Sequence, residues 1–541
     1  MRLYFRESRV TFRASPPHML EDNPILSRIT ARFHLIVATI VSLIVAAIFG
    51  ASAGEGDFLA IYVTLFGAFL VTIMLQLGPR YWLILPFSFV TQLPTIPIQD
   101  RLLELPEIVS VVCGAFFLVR YALKQQKFTF FRKEHTAVQL YAAWALFIFI
   151  NNPVGLSEMG ASLGGLRFYA KIGLALVAFV VMANQEIGEK ECKWVIILIL
   201  FGSFVSEAQD ILFFFFPFHA DPNQKLDPDS YYSWHQALAT VPMVVIAILF
   251  SHYRSSQIFS VRRVWALGLF LASVGMIVAS GKRSAVAAIP FYAVAAAIVR
   301  KEFGFVVLWA MGAVLAATLV VVGHGDLFHL PLTAQRALSI LPARWDPEIA
   351  SMEGGRDEFR DMLRLLAKEK IQRDPWIGGG YKVDLQLLQR MATRGANGME
   401  EQVTPCALSS AWHNTWLGYA ADFGIPASIL VGIIYLTVLH RSWRTFRESP
   451  PNSLAQTLSM YILLFTLRDL ALSHAGGHSA TDAFTRWWMY GLLVALTLSN
   501  RQRLAGQATA GVLTGGRTML QPGFADRPAR QLAGVRRPSA F

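Results

Sequence analysis

Cysteine and charge are both scarce in this sequence. Three cysteines occur among 541 residues, at Cys113, Cys192 and Cys406. Their wide separation gives neither a disulfide framework nor the spacing of a metal site. Charged residues make up 16% of the chain, against about a quarter in soluble domains. No repeat of fixed period is evident. These shortages exclude a disulfide-rich scaffold and argue against a soluble multidomain chain.

The sequence is instead rich in long apolar runs. Hydrophobic residues reach 54% and the mean hydropathy is +0.44. Many runs approach the roughly 20 residues with which a helix crosses a bilayer. The net charge of +12 collects in short connectors and in both tails rather than on one stripe, so it indicates membrane orientation, and we expect no nucleic-acid partner. The sequence predicts an all-α polytopic membrane protein embedded in a lipid bilayer.

Placing the basic connectors on the cytoplasmic side orders these runs into about fourteen crossings, with both termini inside. The count falls to twelve if the proline-interrupted run 81–98 and one partner do not cross, because 81–98 would then be a broken or re-entrant helix. The predicted spans are 33–53, 58–77, 81–98, 105–123, 136–151, 164–182, 193–216, 234–250, 264–280, 285–299, 303–323, 412–439, 454–472 and 483–499.

This topology divides the chain into five segments. Residues 1–32 form a basic cytoplasmic tail in which we expect no removable signal peptide. Transmembrane helices at 33–323 and 412–499 flank a large periplasmic loop, 324–411. The amphipathic run DEFRDMLRLLAKEKI predicts that this loop is partly helical. Residues 500–541 are rich in Gly, Arg, Pro and Ala, which predicts a disordered cytoplasmic tail.

Three residues on the predicted outer side are candidates for chemistry. Alternation of the spans places Arg283, Arg356 and His413 there. A guanidinium binds phosphate oxygens through two parallel hydrogen bonds, so two arginines suit a diphosphate. Alternatively, the arginines reach lipid headgroups or pair with neighbours such as Asp357. The imidazole of His413 can accept a proton from a hydroxyl near neutral pH, or it can be a capping or interfacial residue.

Further polar residues in or near the apolar runs admit plainer interpretations. Arg167 is either a further phosphate contact or part of a structural ion pair. Arg468 and Asp469 are adjacent, which favours a local charge-balanced pair. His474 and His478 lack carboxylate or cysteine partners at metal-ligand spacing, so we expect no zinc site.

The motifs around the three candidates resemble those of the O-antigen ligase and Wzy-type polymerase superfamily. The stretch WHNTWLGYAADFGI, which contains His413 and Asn414, is similar to the His-Asn signature of that family. The segment SGKRSA, with Arg283, resembles its earlier Ser-Arg element. The segment GGRDEF, with Gly355 and Arg356, and the later DPWIGGGY resemble elements of its periplasmic loop. The motifs occur in the family's order.

The resemblance spans residues 264–439 and implies a metal-independent glycosyltransferase of the bacterial inner membrane that needs no cofactor. It would transfer a glycan from undecaprenyl diphosphate to a glycan, lipid or protein acceptor, as a polymerase or as a ligase. The chain departs from the family at Lys282, where serine is commoner. The implied site residues are Arg283, Arg356 and Arg167 for the donor diphosphate, His413 for orienting or deprotonating the attacking hydroxyl, and Asn414 and Gly355 in support.

A transporter or flippase of an anionic lipid-linked sugar is the alternative from another class. Arginines in the membrane would then be counter-ions of the substrate. Broken helices in matching halves are more typical of such proteins than a large outer loop that ends in a histidine. A fold in which His413 faces Arg283 and Arg356 across an outer cavity would favour the transferase.

Overall fold

The computed structural model describes residues 58–91, 96–98, 101–130, 132–153, 165–215, 238–381, 412–474 and 479–515. Within these ranges the chain is helical, as the sequence predicts. A short antiparallel hairpin of β1 (Ile96–Ile98) and β2 (Arg101–Leu103), in which Ile96 pairs with Leu103, departs from this expectation.

Several helices connect through short turns, including helical turns at Gly78–Leu83, Ser255–Ile258 and Val261–Arg263. In chain order they are α1 (Phe58–Leu77), α2 (Ile84–Thr91), α3 (Leu105–Ala122), α4 (Thr136–Asn151), α5 (Leu166–Ala183), α6 (Glu189–Phe215), α7 (Thr240–His252), α8 (Val264–Ala279), α9 (Arg283–Val299), α10 (Phe303–Gly323), α11 (Leu332–Leu338), α12 (Pro347–Arg373), α13 (Thr415–Glu448), α14 (Leu454–Leu472) and α15 (Ser479–Gly515).

Six helical segments in the described ranges are long and apolar enough to cross a membrane. They are Leu65–Thr91, Leu105–Ala122, Leu166–Ala183, Val261–Ala279, Phe303–Gly323 and Thr415–Glu448. Helix α10 shows the environment that they require, because it is apolar throughout yet exposes Val307, Met311 and Val314. A continuous apolar surface of this kind is unfavourable in water and favourable against lipid. The helices therefore fit the predicted association with a bilayer.

Several helix bounds follow the hydropathy pattern closely, whereas α13 continues from the predicted end at Leu439 to Glu448. Helices α1, α4, α10 and α14 begin and end at the residues that the sequence predicts. The proline-interrupted run 81–98 is broken, since α2 ends at Thr91 and the chain is a strand from Ile96. The predicted span 33–53 lies outside the described residues.

Helix α15 differs from the expectation at its C-terminal end. It continues beyond the apolar run to Gly515, although disorder is predicted from residue 500. The sequence RQRLAGQATA, which follows Asn500, contains mostly good helix formers, so the helix can propagate after the apolar residues end. Residues 516–541 of the predicted tail lie outside the described residues.

Helices α5 and α15 form the most extensive pair in the core, and α13 packs on α4, α14 and α15. Gly491 allows the close approach of α5 and α15. A Cβ atom at Gly491 would lie 2.5 Å from the backbone oxygen of Phe179, so a larger residue would force the two helices apart.

The predicted loop 324–411 is partly helical in its described part. Helix α12 packs on the first half of α13 through a small apolar cluster separate from the main core. The fully buried members of this cluster are Leu363, Leu366, Ala367, Trp412 and Ala421. Residues 382–411 lie outside the described part of the chain. The cluster places α12 beside His413.

Candidate functional site

The turn that precedes α13 holds His413 in an uncommon backbone conformation. Its φ is +47°, in the left-handed region that side chains other than glycine rarely adopt. Asn414 then caps α13, because its Oδ1 accepts a hydrogen bond from the backbone nitrogen of Leu417 at 3.0 Å. Strained residues that the surrounding structure holds in place are concentrated at functional sites. His413 is one of four described residues other than glycine with a positive φ; the others are Lys124, Lys301 and Asn452.

Contacts on two sides fix this turn. The backbone nitrogen of Thr415 donates to the oxygen of Ser473 at 2.7 Å, and the indole Nε1 of Trp416 donates to Oγ of Ser473 at 2.7 Å. From the other side, the ring of Phe359 in α12 lies 5.9 Å from the imidazole of His413, measured between centroids. The end of α14 and the loop helix α12 thus contact the two sides of the turn that contains His413.

Arg356 and Gly355 lie in α12, one helical turn before Phe359. Residues three apart are neighbours on a helix, so the backbone brings this part of the loop to His413. The side chain of Arg356 lies outside the described part of the structure, and with it the prediction that Arg356 binds a diphosphate.

Arg283 is the first residue of α9 and is half-buried. The turn before it depends on Gly281, whose φ is +69°. A Cβ atom at Gly281 would lie 3.3 Å from the backbone oxygen of Thr333 in α11. The SGKRSA segment therefore packs on the predicted loop, and its Lys282 faces a cavity.

This cavity, of about 480 Å³, lies among α2, α6, α7, α9, α14 and α15. One part of its lining is apolar and the other is polar and charged. The described apolar residues that line it are Phe89, Val90, Met243, Val244, Ala247, Phe465, Trp488 and Met489. The described polar and tyrosine residues are Ser203, Ser206, Thr240, Lys282, Tyr292, Tyr461, Arg468, Asp469, Thr485 and Arg486.

The charged part of the lining is organised around Asp469. Arg468 Nη2 lies 2.7 Å from Asp469 Oδ1, which confirms the pair that the sequence favours. Arg486 Nε lies 2.9 Å from the other carboxylate oxygen, Oδ2. Arg486 also donates to the hydroxyl of Tyr435, and the Arg468 guanidinium lies over the ring of Phe465 at 4.2 Å. Two guanidinium groups are therefore held side by side on one carboxylate.

The charged lining lies close to the His413 turn along α14. Ser473, which binds Thr415 and Trp416, follows Asp469 by four residues, or about one helical turn. The structure therefore brings together, at one end of the helices, the residues before α9 and α13, the end of α14 and the first turns of α15. The span alternation assigns all of these ends to the same side.

Arg167 forms ion pairs with two glutamates of the α3 N-terminus. Its Nε and Nη2 each lie 3.1 Å from one carboxylate oxygen of Glu107, and Glu104 Oε1 lies 3.5 Å from Nη2. Lys171 Nζ joins the network at 2.7 Å from Glu104 Oε1. Arg167 is not among the described residues that line the cavity. These contacts favour the structural ion pair over the phosphate contact.

The DPWIGGGY segment docks on a break in α13. Gly424 has φ of 80° and ψ of 167° inside that helix, which frees backbone groups on both sides of it. Gly379 and Gly380 donate from their backbone nitrogens to the oxygens of Ala421 and Asp422 at 3.0 and 2.8 Å, while Ile425 donates to Pro375 oxygen at 2.8 Å. Two motifs that are separate in sequence thus form one unit.

The sequence did not predict the buried ion pair between Lys370 of α12 and Asp422 of α13. Lys370 Nζ lies 2.9 Å from Oδ1 of Asp422, whose side chain is fully buried. Lys370 also donates to Gly380 oxygen at 3.0 Å, and Trp412 Nε1 donates to Asp422 Oδ1 at 3.3 Å. The signal in the sequence is the carboxylate within the apolar run after Trp412, because a charge in such a run needs a partner.

No protein-family model fits the sequence, and no curated protein matches it.

Proposed function

We propose that the protein is a metal-independent glycosyltransferase of the bacterial inner membrane, using a glycan on undecaprenyl diphosphate as the donor. The acceptor is a hydroxyl of a glycan, a lipid or a protein, as for a polymerase or a ligase of the O-antigen ligase superfamily. The observation that carries the proposal is the position of His413. It lies in a strained turn that the loop helix α12 contacts on one side and the end of α14 on the other, and α14 contributes Arg468 to the cavity of about 480 Å³.

The reaction that we propose needs one base and a stabilised leaving group. The acceptor oxygen attacks the anomeric carbon of the donor sugar, and the bond from that carbon to the diphosphate oxygen breaks. The acceptor proton passes to the imidazole of His413. The electron pair leaves with the diphosphate, whose negative charge Arg283 and Arg356 would stabilise. Asn414 and Gly355 would support the geometry of the two motifs.

The proposal includes a topology of about fourteen crossings, with the loop 324–411 and His413 on the periplasmic face. Six described segments that could cross a membrane, together with three shorter apolar helices, support a polytopic arrangement. The basic connectors support the orientation. This face is where a glycan on a membrane-bound carrier would meet its acceptor.

The test is the size of the lipid-linked and surface glycans in cells that lack the gene. Complementation uses the wild-type gene, His413→Ala, and His440→Ala as the matched control. His440 is an exposed histidine near the other end of α13. We expect wild type and His440→Ala to restore the glycans and His413→Ala to leave them defective at normal protein levels.

Each outcome separates one function from another. Accumulation of single repeat units identifies a polymerase, and accumulation of full-length lipid-linked chains identifies a ligase. No change in either pool on loss of the gene would contradict the transferase and favour a transporter of an anionic lipid-linked sugar. Full rescue by His413→Ala would remove the assignment of His413 as the base.

A further inference from the structure

We call the cavity of about 480 Å³ that Lys282 lines the amphiphilic cavity. Its charge indicates an anionic ligand. Among the described residues that line it, Lys282, Arg468 and Arg486 are cations and Asp469 is the one carboxylate. Three cations against one carboxylate give the described lining a net positive charge, which suits a ligand with several anionic oxygens.

The cations are held in position before any ligand arrives. One carboxylate oxygen of Asp469 pairs with Arg468 and the other pairs with Arg486, so the two guanidinium groups lie next to each other in the lining. Their side chains are 16% and 26% exposed, which leaves them partly shielded from water. Shielding strengthens their interaction with an anion, because the local dielectric constant is lower than that of water. Such preorganisation reduces the entropy lost on binding.

The rest of the lining suits a hydrocarbon. Phe89 and Val90 come from α2, Met243 and Val244 from α7, and Trp488 from α15. These side chains adjoin the charged part of the same cavity. A ligand that is compact and anionic at one end and hydrocarbon at the other would satisfy both parts.

We propose that this cavity binds the diphosphate headgroup of a polyprenyl diphosphate through Lys282, Arg468 and Arg486, with the first part of the polyprenyl chain against the apolar lining. The identity of the lipid rests on the proposed function. These three cations would act on the carrier's diphosphate in addition to Arg283 and Arg356, the pair that the family resemblance implies. This site also gives a role to Lys282, which departs from the family's usual serine. Arg468 and Arg486 thereby become binding residues for the carrier.

The test measures binding without an acceptor, using the full-length protein in detergent and native mass spectrometry. The probes are undecaprenyl diphosphate, inorganic diphosphate and phosphatidylglycerol. The variants are Arg486→Gln and Lys282→Gln, and the matched control is Arg262→Gln. Arg262 is exposed, lies in the helical turn Val261–Arg263, and is not among the described lining residues. Lys282→Gln keeps the Asp469 ion pairs, so it remains informative if Arg486→Gln does not fold.

We expect undecaprenyl diphosphate to bind most tightly of the three probes. Its affinity should fall about tenfold or more in Arg486→Gln, since a charged hydrogen bond is lost, and measurably in Lys282→Gln. Arg262→Gln should bind like the wild type. An unchanged affinity in both cavity variants would overturn the site. Equal binding of phosphatidylglycerol would overturn its selectivity for a diphosphate, and equal binding of inorganic diphosphate would overturn the role of the apolar lining.

Measuring carrier binding and glycan transfer separately distinguishes failure of this site from failure of the proposed function. A protein that binds undecaprenyl diphosphate through these residues but transfers no glycan would contradict the transferase and keep the site. A protein that transfers glycan while both cavity variants bind the carrier normally would keep the transferase and contradict the site.

Discussion

Lys370 of α12 and Asp422 of α13 form an ion pair, 2.9 Å apart, across the interface that carries the His413 turn. The Asp422 side chain is wholly buried and that of Lys370 is 13% exposed. Removing one partner of such a pair leaves a charge without its counter-ion in a medium of low dielectric constant. This pair, with the docking of DPWIGGGY on the α13 break, fixes the loop helix to the membrane helices.

The first prediction concerns this ion pair. Lys370→Met should lower the free energy of unfolding by about 3 kcal/mol, because Asp422 then lacks its cation. The double variant Lys370→Met with Asp422→Leu should recover much of this loss, since no buried charge remains. The measurement is thermal or denaturant unfolding in detergent. Arg373→Gln is the control, since the Arg373–Glu369 pair is partly exposed and should contribute less than about 1 kcal/mol. A double variant less stable than Lys370→Met would contradict this account.

The second prediction concerns the break in α13. A Cβ atom at Gly424 would lie 2.1 Å from the backbone oxygen of Trp376, and its φ is +80°. Gly424→Ala should therefore destabilise the protein by more than about 2 kcal/mol and undock the DPWIGGGY segment. Gly432→Ala in the same helix is the control, because its Cβ would meet only a ring carbon of Trp416 at 3.8 Å. Limited proteolysis near Trp376 should report the undocking; equal behaviour of the two variants would count against it.

The third prediction separates the chemistry of His413 from its structural role. His413→Gly removes the imidazole but suits the left-handed backbone, so stability should stay within about 1 kcal/mol of the wild type. Glycan transfer should nevertheless be lost. The two measurements are thermal unfolding and transfer from the lipid-linked donor. If stability and transfer fell together, the role of His413 would be to start α13.

The fourth prediction concerns Arg167. Arg167→Met should lower stability by about 2 kcal/mol, because buried Glu107 loses its fork of hydrogen bonds. It should leave the affinity for undecaprenyl diphosphate unchanged. Arg167→Met with Glu107→Leu should be more stable than the single variant. A loss of carrier affinity in a folded Arg167→Met protein would instead support the alternative that Arg167 contacts the phosphate.

Local patterns explain the parts of the fold that could be predicted. The bounds of α1, α4, α10 and α14 follow from apolar runs between polar connectors, and the pair Arg468–Asp469 follows from adjacency in sequence. The prolines of the run 81–98 indicated its interruption. The extension of α15 to Gly515 was missed because hydropathy marks where apolar residues end, whereas a helix ends where its propensity or its caps end.

The cation set of the cavity could not be predicted in the same way. Arg486 meets Asp469 because α14 and α15 pack together, and Lys282 joins them because α9 packs on α14. Arg167 looks equivalent to these residues in sequence, yet it lies against Glu107 on α3. Which intramembrane charges are neutralised and which line a cavity depends on contacts between helices that are distant in the chain.

The sequence by itself determined that this chain is helical and suited to a bilayer, and it identified Arg283, Arg356 and His413 as candidates for chemistry. Apolar periodicity, proline and charge placement act over one or two helical turns, so they can be read from neighbouring residues. Only the tertiary structure decided that Lys370 pairs with Asp422, that DPWIGGGY docks at Gly424, and that Lys282, Arg468 and Arg486 share one cavity. Packing of helix ends brings these groups together, and close packing between distant helices is specified by the whole set of side chains at each interface.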